Sequence, residues 1–172
     1  VRDSFKTSLA AQQSQIVTAL NSADAYAANA KSYFGAHSAT NISARYTTWF
    51  GAATSARYTT GTNHFDAIQA AFATKPITVD CGCKKTYYAY VYPTQPYKIY
   101  VCKAFWSAPN TGTDSRAGTL IHEMSHFNAV AGTDDHVYGQ SGAKSLAISN
   151  PDNALDNADN HEYFSENTPA QN

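Results

Sequence analysis

The chain has 172 residues, of which 43% are hydrophobic and 15% charged, and its formal net charge is -1. This composition is that of a globular chain rather than a disordered one and supplies enough apolar side chains for a folded core. The charge balance leaves no basic footprint for nucleic acid, and no apolar run approaches the roughly 20 residues of a membrane span.

Val1 opens the chain without an initiator Met or an apolar targeting segment. A processed, exported chain with a removed pro-segment is expected. Residues 4–34 are rich in Ala, Gln, Ser and Leu and contain no Pro or Gly. Leu9, Ile16, Leu20, Ala23 and Ala27 fall near helical spacing. One long helix is predicted, bent or frayed at residues 21–24 and stopped by Gly35.

Residues 43–60 predict a second helical region and residues 63–74 a third, ending before Pro76. Ala-Arg-Tyr-Thr-Thr occurs at 44–48 and again at 56–60, too few copies for a repeat array. The texture then changes. Residues 77–81, 87–92 and 98–105 are rich in β-branched and aromatic side chains and are bounded by Gly82, Pro93, Pro96 and Pro109. They predict three short strands of an antiparallel sheet.

A turn at 110–114 leads into a helix capped by Thr113 or Asp114 and running to about Ala129, where residues 131–133 break it. Further short helices are expected at 141–149 and 151–157, and a loose polar tail at 167–172. No linker divides the chain. The expected fold is mainly α with a small antiparallel β-sheet, one α+β domain over residues 1–172. Cys81, Cys83 and Cys102 lack a fourth ligand at zinc-finger spacing. One disulfide and one remaining thiol are expected, which suits an oxidising, extracellular compartment.

The helix after the turn reads His122-Glu123-Met124-Ser125-His126. Residues four apart share a helix face, so His122 and His126 can grip one ion. Glu123 lies about 100° around the helix, placed to act on a water beside that ion. Two imidazoles, an open position and an adjacent carboxylate suit Zn2+ and metal-assisted peptide hydrolysis. The alternative is a helix carrying two histidines by chance.

The third ligand is open on spacing alone. A later His at metzincin spacing is absent, because Gly132 stands there. Glu162 or Glu166 would make a gluzincin-type site. Asp135 follows a chain reversal that Gly132 permits, and Asp134 is its immediate rival. Both aspartates are also ordinary turn formers.

Gly132-Thr133-x-Asp135-x-x-Tyr138-Gly139 after the helix motif resembles the aspzincin (deuterolysin) family of secreted zinc endopeptidases, and within it the peptidyl-Lys metalloendopeptidases. The resemblance extends over residues 45–51, 89–93, 104–106, 111–115 and 157–164. It implies a zincin-like fold, one zinc per chain and Asp135 as third ligand. Tyr138 would support the transition state. It further implies a Cys83–Cys102 disulfide. The N-terminal cysteine that pairs with the first Cys in fungal relatives has no counterpart in residues 4–13, which leaves Cys81 without its usual partner.

Asp159 and Glu162 are three apart, so one helical turn presents both on one face. By resemblance they match the acidic pair of a lysine pocket, which implies cleavage on the N-terminal side of lysine. Protein or peptide substrates and a monomeric state are expected. A sheet edge at residues 97–101 is a candidate for holding substrate main chain by strand addition. His161 is a candidate to support the ligating histidines, with a structural role as its alternative. The competing functions are a gluzincin-type or broad-specificity zinc protease and a non-catalytic zinc-binding toxin.

Overall fold

The computed structural model describes residues 4–6 and 10–172. Helix α1 (Ala10–Ala36) runs without interruption through residues 21–24. Its buried stripe is Ile16, Ala19, Leu20, Ala23, Ala27, Ala30, Tyr33 and Phe34. Small alanines at helical spacing let neighbouring helices approach closely. Residues 4–6, expected to be helical, form strand β1 (Ser4–Lys6) instead, because a parallel partner strand is available only in the tertiary fold. Leu9 lies outside the described residues.

The expected helix over 43–60 is two helices, α2 (Ala44–Phe50) and α3 (Ser55–Thr74). Gly51 separates them with φ 72°, and a Cβ there would overlap the Ala147 backbone. Only glycine takes that conformation and that proximity at no cost. Gly61 does the opposite. It sits inside α3, which continues through it and absorbs the expected third helix, and the missing Cβ leaves room for the Phe34 ring.

Strands β2 (Thr78–Asp80), β3 (Ala89–Tyr90) and β4 (Lys98–Val101) complete a sheet of order β1-β2-β4-β3. The sheet is mixed rather than wholly antiparallel. β1, β2 and β4 are parallel, and only β3 runs against β4. The residue pattern predicts strands but not their direction, which depends on how the connection 81–97 crosses. β4 therefore lies inside the sheet, and the edge proposed for residues 97–101 belongs to β3. The Cys83–Cys102 disulfide forms and closes a sequence separation of 19.

Helix α4 (Lys103–Ser107) is followed by α5 (Arg116–His126), α6 (Gly139–Ser149), α7 (Pro151–Leu155) and α8 (Ala158–Glu166). Every residue of α5 from Ala117 to Ser125 is buried, between α1, α3 and α8. A helix enclosed on all sides is a rigid platform for functional groups. Its N-cap is Ser115, whose side chain accepts from the Gly118 N–H at 2.9 Å, rather than Thr113 or Asp114. It ends at His126, earlier than expected. The tail is not loose: Arg45 N donates to Asn172 O at 3.3 Å, and Gln171 N donates to Asn167 Oδ1 at 2.9 Å. Among the described residues no helix is long and apolar enough to cross a membrane.

Candidate metal centre

His122 and His126 project from one face of α5 into a cavity of about 690 Å³. Their Nε2 atoms are 3.1 Å apart. Asp135 Oδ1 lies 3.2 Å from the first and 3.3 Å from the second. The other ring nitrogen of each histidine is already committed. His122 Nδ1 donates to Asp159 Oδ1 at 2.7 Å, and His126 Nδ1 donates to the Thr133 carbonyl at 2.7 Å. Those two bonds fix both tautomers and aim both Nε2 lone pairs at Asp135. Three Lewis-basic atoms thus converge with no proton to share. Two imidazole nitrogens and one carboxylate oxygen fit a divalent ion such as zinc.

The loop carrying Asp135 is pinned by backbone. Gly132 has φ 62°, and its N–H returns to Phe127 O at 3.0 Å, which turns the chain back toward α5. Asp134 pairs with the start of α8: its N donates to Asp156 O at 2.8 Å and its O accepts from Ala158 N at 3.0 Å. Asn157 Oδ1 accepts from His136 N at 2.7 Å and Val137 N at 3.1 Å. Asp134 is thereby held outward, while Asp135 faces the histidines. His136 turns away and pairs with Asp156 at 2.8 Å.

Glu123 is buried and lines the same cavity. Burial pushes its carboxyl pKa up, with the two histidines opposing. The Tyr138 ring stacks on His122 at 6.5 Å and 12°, and is 68% exposed. Burial of its hydroxyl, then the adjacent Asp135 carboxylate, raises that phenol to about 12. Tyr138 therefore stays a neutral donor at the mouth of the site.

Asp159 and Glu162 share one face of α8, both buried and both lining the cavity. Asp159 Oδ2 also accepts from Gly139 N at 2.6 Å, so both of its oxygens are engaged. Glu162 Oε2 is 3.5 Å from His122 Nδ1, on the side of the ring remote from the converging Nε2 atoms. Burial pushes Glu162 up to about 7, with His122 opposing and Asp159 and Asp114 adding to the rise. Glu166 lies elsewhere and binds the N-terminus of α5, accepting from Ser115 N at 2.8 Å.

The segment expected to support the histidines does so through Asp159. His161 faces away, accepting at Nε2 from His64 Nδ1 at 3.0 Å. Thr133 escaped the sequence reading because it acts through its carbonyl, which any residue could supply. Asp114, read only as a cap, lines the cavity.

The sequence matches the family described as lysine-specific metallo-endopeptidase, of the aspzincin type, over residues 33–166. The chain belongs to that family. An extracellular protease of Aeromonas hydrophila is 55% identical over 161 residues, which cover 94% of this chain and 46% of the relative. The chain thus spans about half the length of that relative. A peptidyl-Lys metalloendopeptidase of Pleurotus ostreatus is 52% identical over 162 residues, covering 94% of this chain and 95% of its own. A zinc peptidase from Grifola frondosa has the same fold, with a TM-score of 0.91 at 47% identity over 96% of this chain and 100% of that one. An aspzincin of this kind is mainly helical with a small sheet, as found here.

Proposed function

We propose that this chain is an extracellular zinc endopeptidase that cleaves proteins on the N-terminal side of lysine. What carries the reading is the convergence of His122 Nε2, His126 Nε2 and Asp135 Oδ1, with the outer nitrogen of each imidazole tied off. His122, His126 and Asp135 would hold the zinc. When bound, zinc supplies Lewis acidity that acidifies a water molecule and polarises the scissile carbonyl.

Glu123 accepts a proton from the attacking water at its carboxylate. It then delivers that proton to the leaving amine nitrogen. Its buried position raises its basicity toward the working range. The Tyr138 hydroxyl donates to the oxyanion that develops on the carbonyl oxygen. Asp159 holds the His122 ring, and the Thr133 carbonyl holds that of His126. The edge strand β3 lies beside α5 and lines the cavity through Ala89 and Tyr90, with Tyr88 just before it, so it can take substrate main chain as an added strand.

Lysine selection is supported by the acidic wall of the cavity and by the names of the relatives. Asp159 and Glu162 make that wall acidic, and a neutral substrate side chain would leave the buried Glu162 carboxyl without a cationic partner from the substrate. Digesting a denatured protein with the zinc-loaded enzyme and mapping the termini by mass spectrometry tests the reading. Lysine should dominate the first primed position, and a zinc chelator should stop cleavage. Chelator-resistant cleavage or no enrichment of lysine would refute it.

A further inference from the structure

Building on the endopeptidase reading above, we propose that Lys85 is a second specificity determinant. Its ammonium, held over Tyr87 and Tyr90 at the rim of the cavity, binds the carboxylate of an Asp or Glu that flanks the scissile bond of the substrate.

Charge is unevenly spread along the chain. Residues 75–113 hold five lysines, Lys75, Lys84, Lys85, Lys98 and Lys103, and one carboxylate, Asp80. The chain as a whole has 12 basic and 13 acidic residues. The lysine-rich segment contains β2, β3, β4 and the loop that leads into β3. Its contribution to the cavity lining, residues 87–91, includes no carboxylate. The lining from α5, α8 and the Asp135 loop does, with Glu123, Asp135, Asp159 and Glu162. Opposite charges thus flank one cavity.

Lys85 brings the positive charge closest to that cavity. Its Nζ lies 5.3 Å from the ring centroid of Tyr87 and 5.6 Å from that of Tyr90, and both rings line the cavity. An ammonium within about 6 Å of a ring face is attracted to it, so two rings hold the lysine tip in place. Tyr90 in turn stacks on Tyr100 at 4.6 Å and 2°, and Lys98 Nζ lies 4.8 Å over Tyr100. Contact with ring faces leaves the three N–H donors of Lys85 able to meet an acceptor. The lysine and arginine ion pairs among the described residues are Lys31–Asp66 and Arg57–Asp152, so no described carboxylate neutralises Lys85.

The loop that carries Lys85 is fixed before any substrate arrives. The Lys85 carbonyl accepts from Lys103 N at 3.0 Å, that of Tyr87 from Ala104 N at 3.0 Å and that of Tyr88 from Cys102 N at 2.9 Å. The Cys83–Cys102 disulfide ties the start of the same loop to the end of β4. A charge on a preorganised loop costs little ordering on binding. The loop runs directly into edge strand β3, so substrate main chain added to that edge passes beside Lys85. In a protein substrate the anions within reach are Asp and Glu side chains. Complementary charge on the two sides would also favour one orientation of a peptide that carries a lysine and an acid.

The test uses peptides with lysine at the first primed position and either Glu or Gln at one flanking position, scanned through each flanking position in turn. The zinc-loaded parent should favour Glu at one of them. Because Lys85 is exposed, the expected Glu-to-Gln ratio of kcat/KM is about two- to fivefold at low salt, carried by KM and fading as salt is added. Lys85→Gln should bring the ratio to one, Lys85→Glu should invert it, and Lys85→Arg should keep it. Lys31→Gln removes the same charge from α1 and should leave the ratio as in the parent, which separates a local contact from net charge. A parent with no preference for Glu at any position would overturn the proposal, as would a preference that survives in Lys85→Gln. Failure of the parent to cleave any of the peptides would instead overturn the endopeptidase reading itself.

Discussion

Gly118 faces the Glu166 carboxylate across the first turn of α5, with no room for a Cβ between them. Glu166 Oε1 accepts from Ser115 N and Ser115 Oγ, both at 2.8 Å, and Oε2 accepts from Asp114 N at 3.1 Å. A carboxylate thus satisfies donors left open at the N-terminus of the helix that carries His122, Glu123 and His126. Gly118→Ala would gain about 1 kcal/mol of helix propensity. It would also displace a buried carboxylate held by three hydrogen bonds, an overpacking cost of about 1–3 kcal/mol. The second effect should win, and thermal denaturation should show a lowered Tm.

Glu123→Ala should cut proteolysis by a factor of about 10² to 10⁴ or more while zinc stays bound. Asp135→Ala should lose zinc and activity together. Asp134→Ala should keep most of both, because Asp134 contributes its backbone to the Asn157 pairing and its side chain faces outward. Metal analysis of the purified variants alongside a casein assay separates these outcomes. Zinc loss in Glu123→Ala would make that residue a ligand, and full retention in Asp135→Ala would remove Asp135 from the site.

Tyr138→Phe removes one hydroxyl from an exposed ring and should leave the fold and zinc content intact. Loss of one oxyanion donor lowers kcat by about 10² to 10³. KM should change little, since the bond strengthens as charge develops on the carbonyl oxygen. A Phe variant with parental kcat would assign Tyr138 to packing over His122 alone.

The buried pair of His161 and His64 predicts an acid sensitivity. His161 Nδ1 donates to Asn157 O at 2.9 Å and Nε2 accepts from His64, so the ring is neutral with both nitrogens used. Burial, then repulsion by His64, lowers its pKa to about 3. The unfolded value is about 6.5. Below pH 6.5 the unfolded chain takes up a proton that the folded chain refuses. The stability tied to neutral His161 is therefore complete above pH 6.5 and is lost as the pH falls toward 3. The loss approaches about 1.4 kcal/mol per pH unit. Urea unfolding at pH 7 and pH 5 should show a larger acid loss in the parent than in His161→Gln, a comparison in which other buried acids cancel. Equal losses would contradict the assignment.

Much of the candidate site was legible because its geometry is local. Four residues on an α-helix return a side chain to the same face, so His122 and His126 could be paired from the sequence. The same holds for Asp159 and Glu162, three apart on α8. Gly132 announced the reversal that brings Asp135 back. Chain direction and competition between partners were not legible. Whether residues 4–6 join a helix or a strand depends on β2, some seventy residues away. Gly51 and Gly61 look alike in the sequence, yet Gly51 takes φ 72° beside the Ala147 backbone and separates two helices, whereas Gly61 keeps helical backbone and makes room for the Phe34 ring.

By itself, the sequence determined most of the helices, the helix motif and the family pattern, since each depends on spacing within one segment. Tertiary structure decided what each of the two acidic residues of α8 meets. Asp159 and Glu162 are chemically similar and share a face, but α5 and the start of α6 meet only Asp159 with two donors, His122 Nδ1 and Gly139 N. A carboxylate saturated by the protein holds structure, and one left unsaturated in a cavity is available to a ligand. That difference arises from packing between helices distant in the chain, so no local pattern could contain it.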